Sequence, residues 1–313
     1  MEVEGSPWRR GRLLAFIAVL LAVVIGLHGL VPNRWGNLGS LVATFLPWLV
    51  LAVPVLILAA VLRRSALAAL LALTPLAAWL GVFGPQLMPV EPAAYDLTVV
   101  QHNVADDNHD VEGTVEILLA EDPDIVALEE LTSENLPRYE AALGQRFEHH
   151  TTQGTVGLWS RHPISERTRV DIRPAGIEAS WDRCLRAVVQ TPEGEVTVYV
   201  AHLPSVRLGP RGLAANSRNR SAELLAEAIA EDPAREVLLA GDLNGNLMDP
   251  GLAPLTDQVS REEHGFRFTF PSALPVVQLD HVLARGAEVT ELKVLPRSGS
   301  DHLPVVAYVS LGQ

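Results

Sequence analysis

VLLAGDLNGN, residues Val237–Asn246, is the stretch on which the reading of this chain turns. Four apolar residues form a buried-strand run, Gly241 permits a tight turn, and Asp242 and Asn244 follow two residues apart. In an extended chain residues i and i+2 point the same way, so a carboxylate and a carboxamide project together from the lip of a sheet. That pair can hold a hard divalent cation, orient a water or grip a phosphate oxygen. It can equally be a strand followed by an Asn/Gly turn, and the rest of the chain has to choose.

Working outward, Asn216 or Ser217 is expected to cap an amphipathic helix reaching about Ala230, with Leu224, Leu225, Ala228 and Ile229 inward. Cys184–Gln190 and Glu195–His202 read as a hairpin, and Thr155–Ser160 as a strand before the turn at Arg161 to Pro163. Further upstream, Asp96–His102 and Asp124–Leu128 are strands separated by a helix over Val111–Glu121. A second helix opens near Ser133 and Glu134 and runs to about Leu143. Downstream, strands are expected at Gln278–Ala284, Glu288–Leu295 and Leu303–Val309. Alternation early and hairpins later exclude a purely parallel doubly-wound sheet and imply mixed sheets covered by helices.

Strand ends carry the chemistry. Asn103 follows the first strand, Glu130 the second, and His202 closes a later one. Asp242 and Asn244 end another, Asp280 lies in LDHV, and Asp301 and His302 precede the last strand. Six segments delivering Asn, Asp, Glu or His to strand edges point to one shared rim. Hard oxygen donors suit magnesium, manganese or calcium, and histidines beside carboxylates suit acid/base work near neutral pH. There is no GxSxG elbow and no GxxxxGK loop, which disfavours acyl transfer and nucleoside-triphosphate binding. The other histidines read as bland: His149 and His150 exposed ahead of a Thr/Gln/Gly loop, His162 in a turn, His264 in an acidic loop, His28 in an apolar run, and His281 facing away from Asp280. His102 and His109 are undecided. Arg183 and Arg186 could aid phosphate binding but read first as solvated or ion-paired strand residues, and Cys184, the only cysteine, as a buried structural thiol.

In order, NVADDN (103–108), PDIVALEEL (123–131), VAHLPS (200–205), GDLN (241–244), LDHV (279–282) and SDHLP (300–304) resemble the motifs of the endonuclease/exonuclease/phosphatase superfamily. Within it, the chain is similar to membrane-anchored bacterial members of the VanJ-like, teicoplanin-resistance type. The resemblance implies a four-layer α/β sandwich, two mixed sheets flanked by helices, that hydrolyses phosphoesters with Mg2+ or Mn2+. Carried over by position, it implies Glu130 as principal metal ligand, supported by Asn103, with Asp301 on the metal side. Asp242 would orient the attacking water and Asn244 bind the scissile phosphate. His302, oriented by Asp280, would act as acid/base or stabilise phosphoryl oxygens, and His202 would contact the phosphate. The family usually places Gln where Glu129 stands; that carboxylate could bind a second metal or, the favoured reading, point into the sheet.

The first 92 residues differ in kind from residues 93–313, the expected catalytic domain: net charge is +3 before Pro92 and −16 after it. Apolar runs at about 13–31, 41–62 and 66–83 read as three transmembrane helices. Arg9, Arg10 and Arg12 before the first, with Arg63 and Arg64 between the second and third, place those ends inside and the catalytic domain outside. A multi-pass protein of the cytoplasmic membrane with an extracytoplasmic site follows. Its expected partners are membrane lipid and a lipid-linked or cell-envelope phosphate, for which the resemblance suggests a polyprenyl diphosphate. A tethered nuclease ranks behind, because a domain at −16 with one lysine, Lys293, repels a long duplex outside a patch of Arg207, Arg211, Arg218 and Arg220. A non-catalytic scaffold ranks third, and no feature designates a protein partner.

Overall fold

A computed structural model describes residues 11–89, 93–260 and 264–312. Arg9, Arg10 and the start of the linker at Glu91 and Pro92 lie outside them. The leader folds as α1 (Arg12–Gly26), α2 (Leu38–Phe45), α3 (Ala52–Leu62), α4 (Ala66–Leu71) and α5 (Thr74–Phe83). Among the described residues, two segments are long and apolar enough to cross a membrane: Leu38–Leu62, 25 residues at mean hydropathy 2.7, and Ala66–Phe83, 18 residues at 2.1. The expected first span is not a third. Its 15-residue helix stops at Gly26, a 3-10 turn takes His28–Leu30, and the His28 ring bonds the Ile25 carbonyl at 2.9 Å. Fifteen residues rise only ~22 Å, short of the ~30 Å of hydrocarbon, and Gly26 and Gly29 are poor helix formers that favour the break.

The remaining elements are β1 (Leu97–Asn103), α6 (Val111–Leu119), β2 (Ile125–Glu129), α7 (Leu136–Leu143), β3 (His149–Gln153), β4 (Val156–Ser160) and β5 (Ile164–Arg169). Then follow β6 (Cys184–Thr191), β7 (Gly194–His202), a short ribbon of β8 (Leu208–Gly209) and β9 (Gly212–Leu213), and α8 (Asn216–Glu231). The chain closes with β10 (Val237–Asp242), α9 (Ala253–Thr256), β11 (Asp280–Arg285), β12 (Ala287–Val294) and β13 (Val305–Leu311). They build one sheet ordered β12-β13-β1-β2-β4-β3 and another ordered β11-β10-β7-β6-β5. Both are mixed, with β1–β2 and β7–β10 parallel.

Period-two alternation sorts the side chains into layers. Leu97 and Val99 of β1, Ile125 and Ala127 of β2, Val198 and Val200 of β7, Leu238 and Ala240 of β10, and Val282 of β11 meet between the sheets. The opposite faces pack under helices: Val100, Val126 and Leu128 against α6 and α7, and Tyr199, Val237 and Leu239 against α8 and α9. Each fully buried Leu, Ile or Val side chain contributes ~1.5–3 kcal/mol, which stabilises all three interfaces. The expected four-layer sandwich is therefore present. Local departures have local causes. Helix α7 begins three residues late because Thr132 and Asn135 exchange hydrogen bonds of 2.8 and 3.1 Å. Helix α8 has no side-chain cap; Asn216 instead accepts from Asn37 of the leader at 3.0 Å.

Candidate active site

The same alternation that buries the inter-sheet core carries polar residues to its open end. One step beyond Val99, Ala127, Val200 and Ala240 on those inward stripes come Gln101, Glu129, His202 and Asp242, with Asn103 beyond Gln101. Cross-strand register aligns them. Asp242 lies opposite His202 on β7 and opposite Asp280 on β11, while Asn103 lies opposite Glu129 in the facing sheet. Asn103 Nδ2 then closes the gap between sheets by donating to Asp242 Oδ2 at 3.1 Å. Two residues leave the alternation through left-handed backbone, Glu130 (φ 61°) and Asn244 (φ 49°). For a non-glycine residue such geometry costs of order 1–3 kcal/mol and clusters at functional sites. It swings Glu130 onto the rim above Glu129, where its Oε1 stands 3.8 Å from His202 Nε2.

His302 reaches the rim from the loop before β13. Its Nδ1 bonds Asp280 Oδ2 at 2.8 Å, Phe270 packs against its ring at 4.9 Å, and its Nε2 faces Asp242 Oδ2 at 3.8 Å. Burial works against charge on this imidazole, but Asp280 and Asp242 outweigh it and lift its pKa to about 10. Asp280 is correspondingly held below the usual carboxylate range, its burial penalty overcome by His302. Asp242 goes the other way: burial and the neighbouring Asp280 raise it, against the pull of His302. Glu129 is fully buried, bonded by Gln101 Nε2 at 2.7 Å, and raised well above its normal value by burial and by Asp280. It lies in the floor of the site; the same Gln101 amide also reaches Asp280 at 3.2 Å.

A divalent cation fits this donor set. Asp242, Asp280 and His302 bring one ligand atom each within 4.8 Å of one another. The 2.8 Å bond already commits Asp280 and His302 to each other, which leaves Glu130, Asn103 and Asp242 as the oxygen-bearing side. Glu130 and Asp242 flank His202 Nε2 at 3.8 and 3.6 Å. Buried carboxylates in excess over cations are what a hard ion with oxygen ligands relieves. Asp301 does not join them: it is exposed, and among the described residues its carboxylate bonds none of these groups. Its charge reaches the site only through its field on His302.

Arg183 was undervalued by sequence. Just before β6, it rests on Trp181 at 5.4 Å and directs Nη1 at the His202 ring, 3.1 Å from Nδ1 and 3.3 Å from Nε2. No described carboxylate pairs with it, unlike Arg186, which is tied to Asp232 at 2.5 Å. Burial and then Arg183 drive His202 well below its normal pKa, so that ring is neutral. The proposed arginine patch loses Arg218 to the interior and Arg220 to a surface ion pair, while Arg207 and Arg211 stay exposed. Arg218 is fully buried and paired with Asp249 at 2.5 Å, and Arg220 pairs with Glu223 at 2.7 Å. His281 points away as expected, bonding Gly245 O at 2.9 Å. His102 faces the outer layer, bonds Ser298 at 2.9 Å and is pushed down to about 3 by burial.

With this geometry in view, a model of the Endonuclease/Exonuclease/phosphatase family matches residues 100–302. The chain belongs to that family. No curated protein matches it by sequence. Among solved structures it is similar to a beta toxin variant from Staphylococcus aureus with bound magnesium ions, at 17% identity and TM-score 0.54. The match covers 68% of this chain and 99% of that one. Sphingomyelinase C from Streptomyces griseocarneus matches at 19% and 0.52, covering 71% and 99%. D. rerio TDP2 complexed with a single-strand DNA product matches at 19% and 0.55, covering 68% and 98%. At such identities the likeness is one of fold.

Proposed function

We propose that this family member is a divalent-metal-dependent phosphohydrolase, anchored in the cytoplasmic membrane, that acts at the outer face on a lipid-linked or cell-envelope phosphate. The observation that carries the hydrolase reading is the rim itself: Asp242 shares a 3.1 Å bond with Asn103 across the sheets and faces a His302–Asp280 pair 2.8 Å long. When bound, Mg2+ or Mn2+ supplies a Lewis acid at a phosphoryl oxygen, held by Glu130, Asn103 and Asp242. Asp242 orients a water for in-line attack, and protonated His302 stabilises the charge that builds on phosphorus-bound oxygens. His202, Arg183 and Asn244 orient the phosphate. Of the two bonds from Asn244 Nδ2, the 3.3 Å bond to Asp242 is the one a phosphoryl oxygen replaces; the 2.9 Å bond to Leu203 O keeps the amide in place.

The leader supports the lipid reading. In each long apolar segment an 18-residue stretch has only 22% of its residues buried within the protein, so much of its surface needs another apolar phase. Gly11 packs against Ser65, which puts Arg12 at the same end of the bundle as Arg63 and Arg64. The other end adjoins the catalytic domain, where Trp48 stacks on Phe268 at 5.2 Å and Trp79 on Phe266 at 5.9 Å. With Arg63 and Arg64 inside, the two long segments form a hairpin whose open end, at Leu38 and Phe83, lies at the outer face. With Arg218 buried against Asp249, the arginine patch offers a duplex less than the sequence suggests, and the VanJ-like resemblance favours an envelope substrate.

The purified full chain with Mg2+ is offered polyprenyl diphosphate, phospholipid, plasmid DNA and RNA, and phosphate or nucleotide release is measured with and without EDTA. Release from a lipid-linked phosphate that EDTA abolishes supports the reading. Brisk cleavage of DNA with none of lipid contradicts it.

A further inference from the structure

The loop after Asp242 is held from outside the catalytic domain. Arg218 Nη1 donates to the Asn244 carbonyl at 3.4 Å, and Gly245 lies so close that a Cβ there would stand 2.0 Å from that nitrogen. The Arg218 guanidinium pairs with Asp249 Oδ2 at 2.5 Å, and Asp249 Oδ1 accepts the hydroxyl of Ser40 at 2.6 Å. Ser40 belongs to α2, in the first long apolar segment, and is itself fully buried. Asn33 holds it in turn, accepting from Ser40 N at 2.9 Å and donating to Ser40 Oγ at 3.0 Å. Further along the same loop Asn246 Nδ2 donates to Ala43 O at 2.6 Å. Gly39 sits where a Cβ would come within 2.9 Å of the Pro250 ring. A helix that served only as an anchor would need a linker and nothing more. This one spends three residues, Gly39, Ser40 and Ala43, on the seven-residue stretch from Asn244 to Pro250.

We infer that α2 is a positioning element of the catalytic centre: Ser40, acting through Asp249 and Arg218, fixes the Asn244 backbone and with it the carboxamide that orients phosphate. This rests on the reading of Asn244 as part of the hydrolytic centre. The physical reason is leverage. Asn244 has left-handed backbone, which relaxes unless its surroundings over-determine it. Asp249 can hold Arg218 in one orientation only while its second oxygen is held by Ser40 and by the 2.7 Å bond from Gly251 N. A shift of about 1 Å in a substrate-positioning group costs up to roughly 100-fold in rate. The apolar leader and the phosphate-binding loop are therefore one mechanical unit.

The test uses the full chain in detergent micelles, with bis(4-nitrophenyl) phosphate and Mg2+ as the probe reaction and hydrogen exchange as a second readout. Ser40→Ala is expected to lower kcat about tenfold, with KM changed less than about twofold. In an Asn244→Ala background the same substitution is expected to have no further effect on rate, the signature of two residues acting through one route. Exchange in a peptide covering residues 243–249 rises in Ser40→Ala, while one covering 97–103 is unchanged. Equal losses of rate in both backgrounds, or unchanged exchange over 243–249, overturns the inference. If Asn244→Ala alone leaves the rate intact, the reading of the centre fails instead, and the exchange result still decides whether Ser40 holds the loop.

Discussion

Two buried charge clusters lie on either side of the Asn244 turn, and they are built on opposite plans. Behind the turn, Arg218 and Asp249 balance each other, each also hydrogen-bonded to Ser40. In front of it, Asp242, Asp280 and Glu129 are all buried with His302, and Glu130 stands at the rim. The first cluster is neutral and satisfied, which is how a fold tolerates charge in its interior. The second carries surplus negative charge that only protonation, a cation or both can relieve. That excess, rather than the mere presence of acidic residues, marks the front cluster as the working one.

The contrast can be broken by substitution, beginning with the largest effect. Asp242→Asn and His302→Ala are each expected to lower kcat by about 10²–10⁴-fold, the usual contribution of a positioned acid or base. Circular dichroism should show the fold intact. Next comes Asp249→Ala, which strands the Arg218 guanidinium and should destabilise the protein by roughly 3–5 kcal/mol in chemical denaturation. In the front cluster the sign reverses. Without metal, Asp242→Asn removes like-charge repulsion and should stabilise the protein by about 0.5–2 kcal/mol, as relief of a strained active site commonly does. If both substitutions destabilise alike, the distinction between the clusters is wrong.

A smaller effect sharpens the same point through pH. Asp242 is raised from 3.8 to about 7 and His302 from 6.5 to about 10. A folded-state pKa above the unfolded one contributes stability at low pH that is lost as pH rises. The metal-free protein should therefore lose stability first between pH 3.8 and about 7, through Asp242, and again between 6.5 and about 10, through His302. Asp242→Asn should shrink the first step, to which Glu129 still contributes, and bring the second to lower pH, because the Asp242 charge helps to hold the His302 proton. A thermal-unfolding profile flat from pH 4 to 10 would refute this assignment of charge.

Much of the front cluster was legible because strand alternation is a short-range rule. Once Leu238, Ala240 and Asp242 are seen on one stripe, the rim position of Asp242 follows, and likewise for Asn103, His202 and Asp280. Glu130 was legible as a strand end and its metal role by resemblance, but its turn onto the rim was not, since its left-handed backbone breaks the alternation that would have sent it outward. Asp301 is exposed, and strand alternation could not foresee that: in SGSDHLP no periodicity says which of two adjacent residues turns in. The back cluster could not be read at all. Ser40 and Arg218 are 178 residues apart, and an arginine on a helix of mixed polarity looks like a solvated one until its partner is seen. Strands β3 and β5 were missed because HHTTQ and ISERTR, as edge strands, are too polar to show a buried face. The first apolar run was over-read because composition counts residues and not the turn at His28.

The most direct test of the central claim is a Mg2+ titration of the full chain, followed by calorimetry and thermal unfolding, with Glu130→Gln beside the wild type. Saturable binding that raises the wild-type Tm is expected, with loss of most of both binding and Tm increase when Glu130 gives up its charge. An equal rise in both proteins, or no binding by the wild type, would show that the surplus charge at this rim is not there to hold a metal.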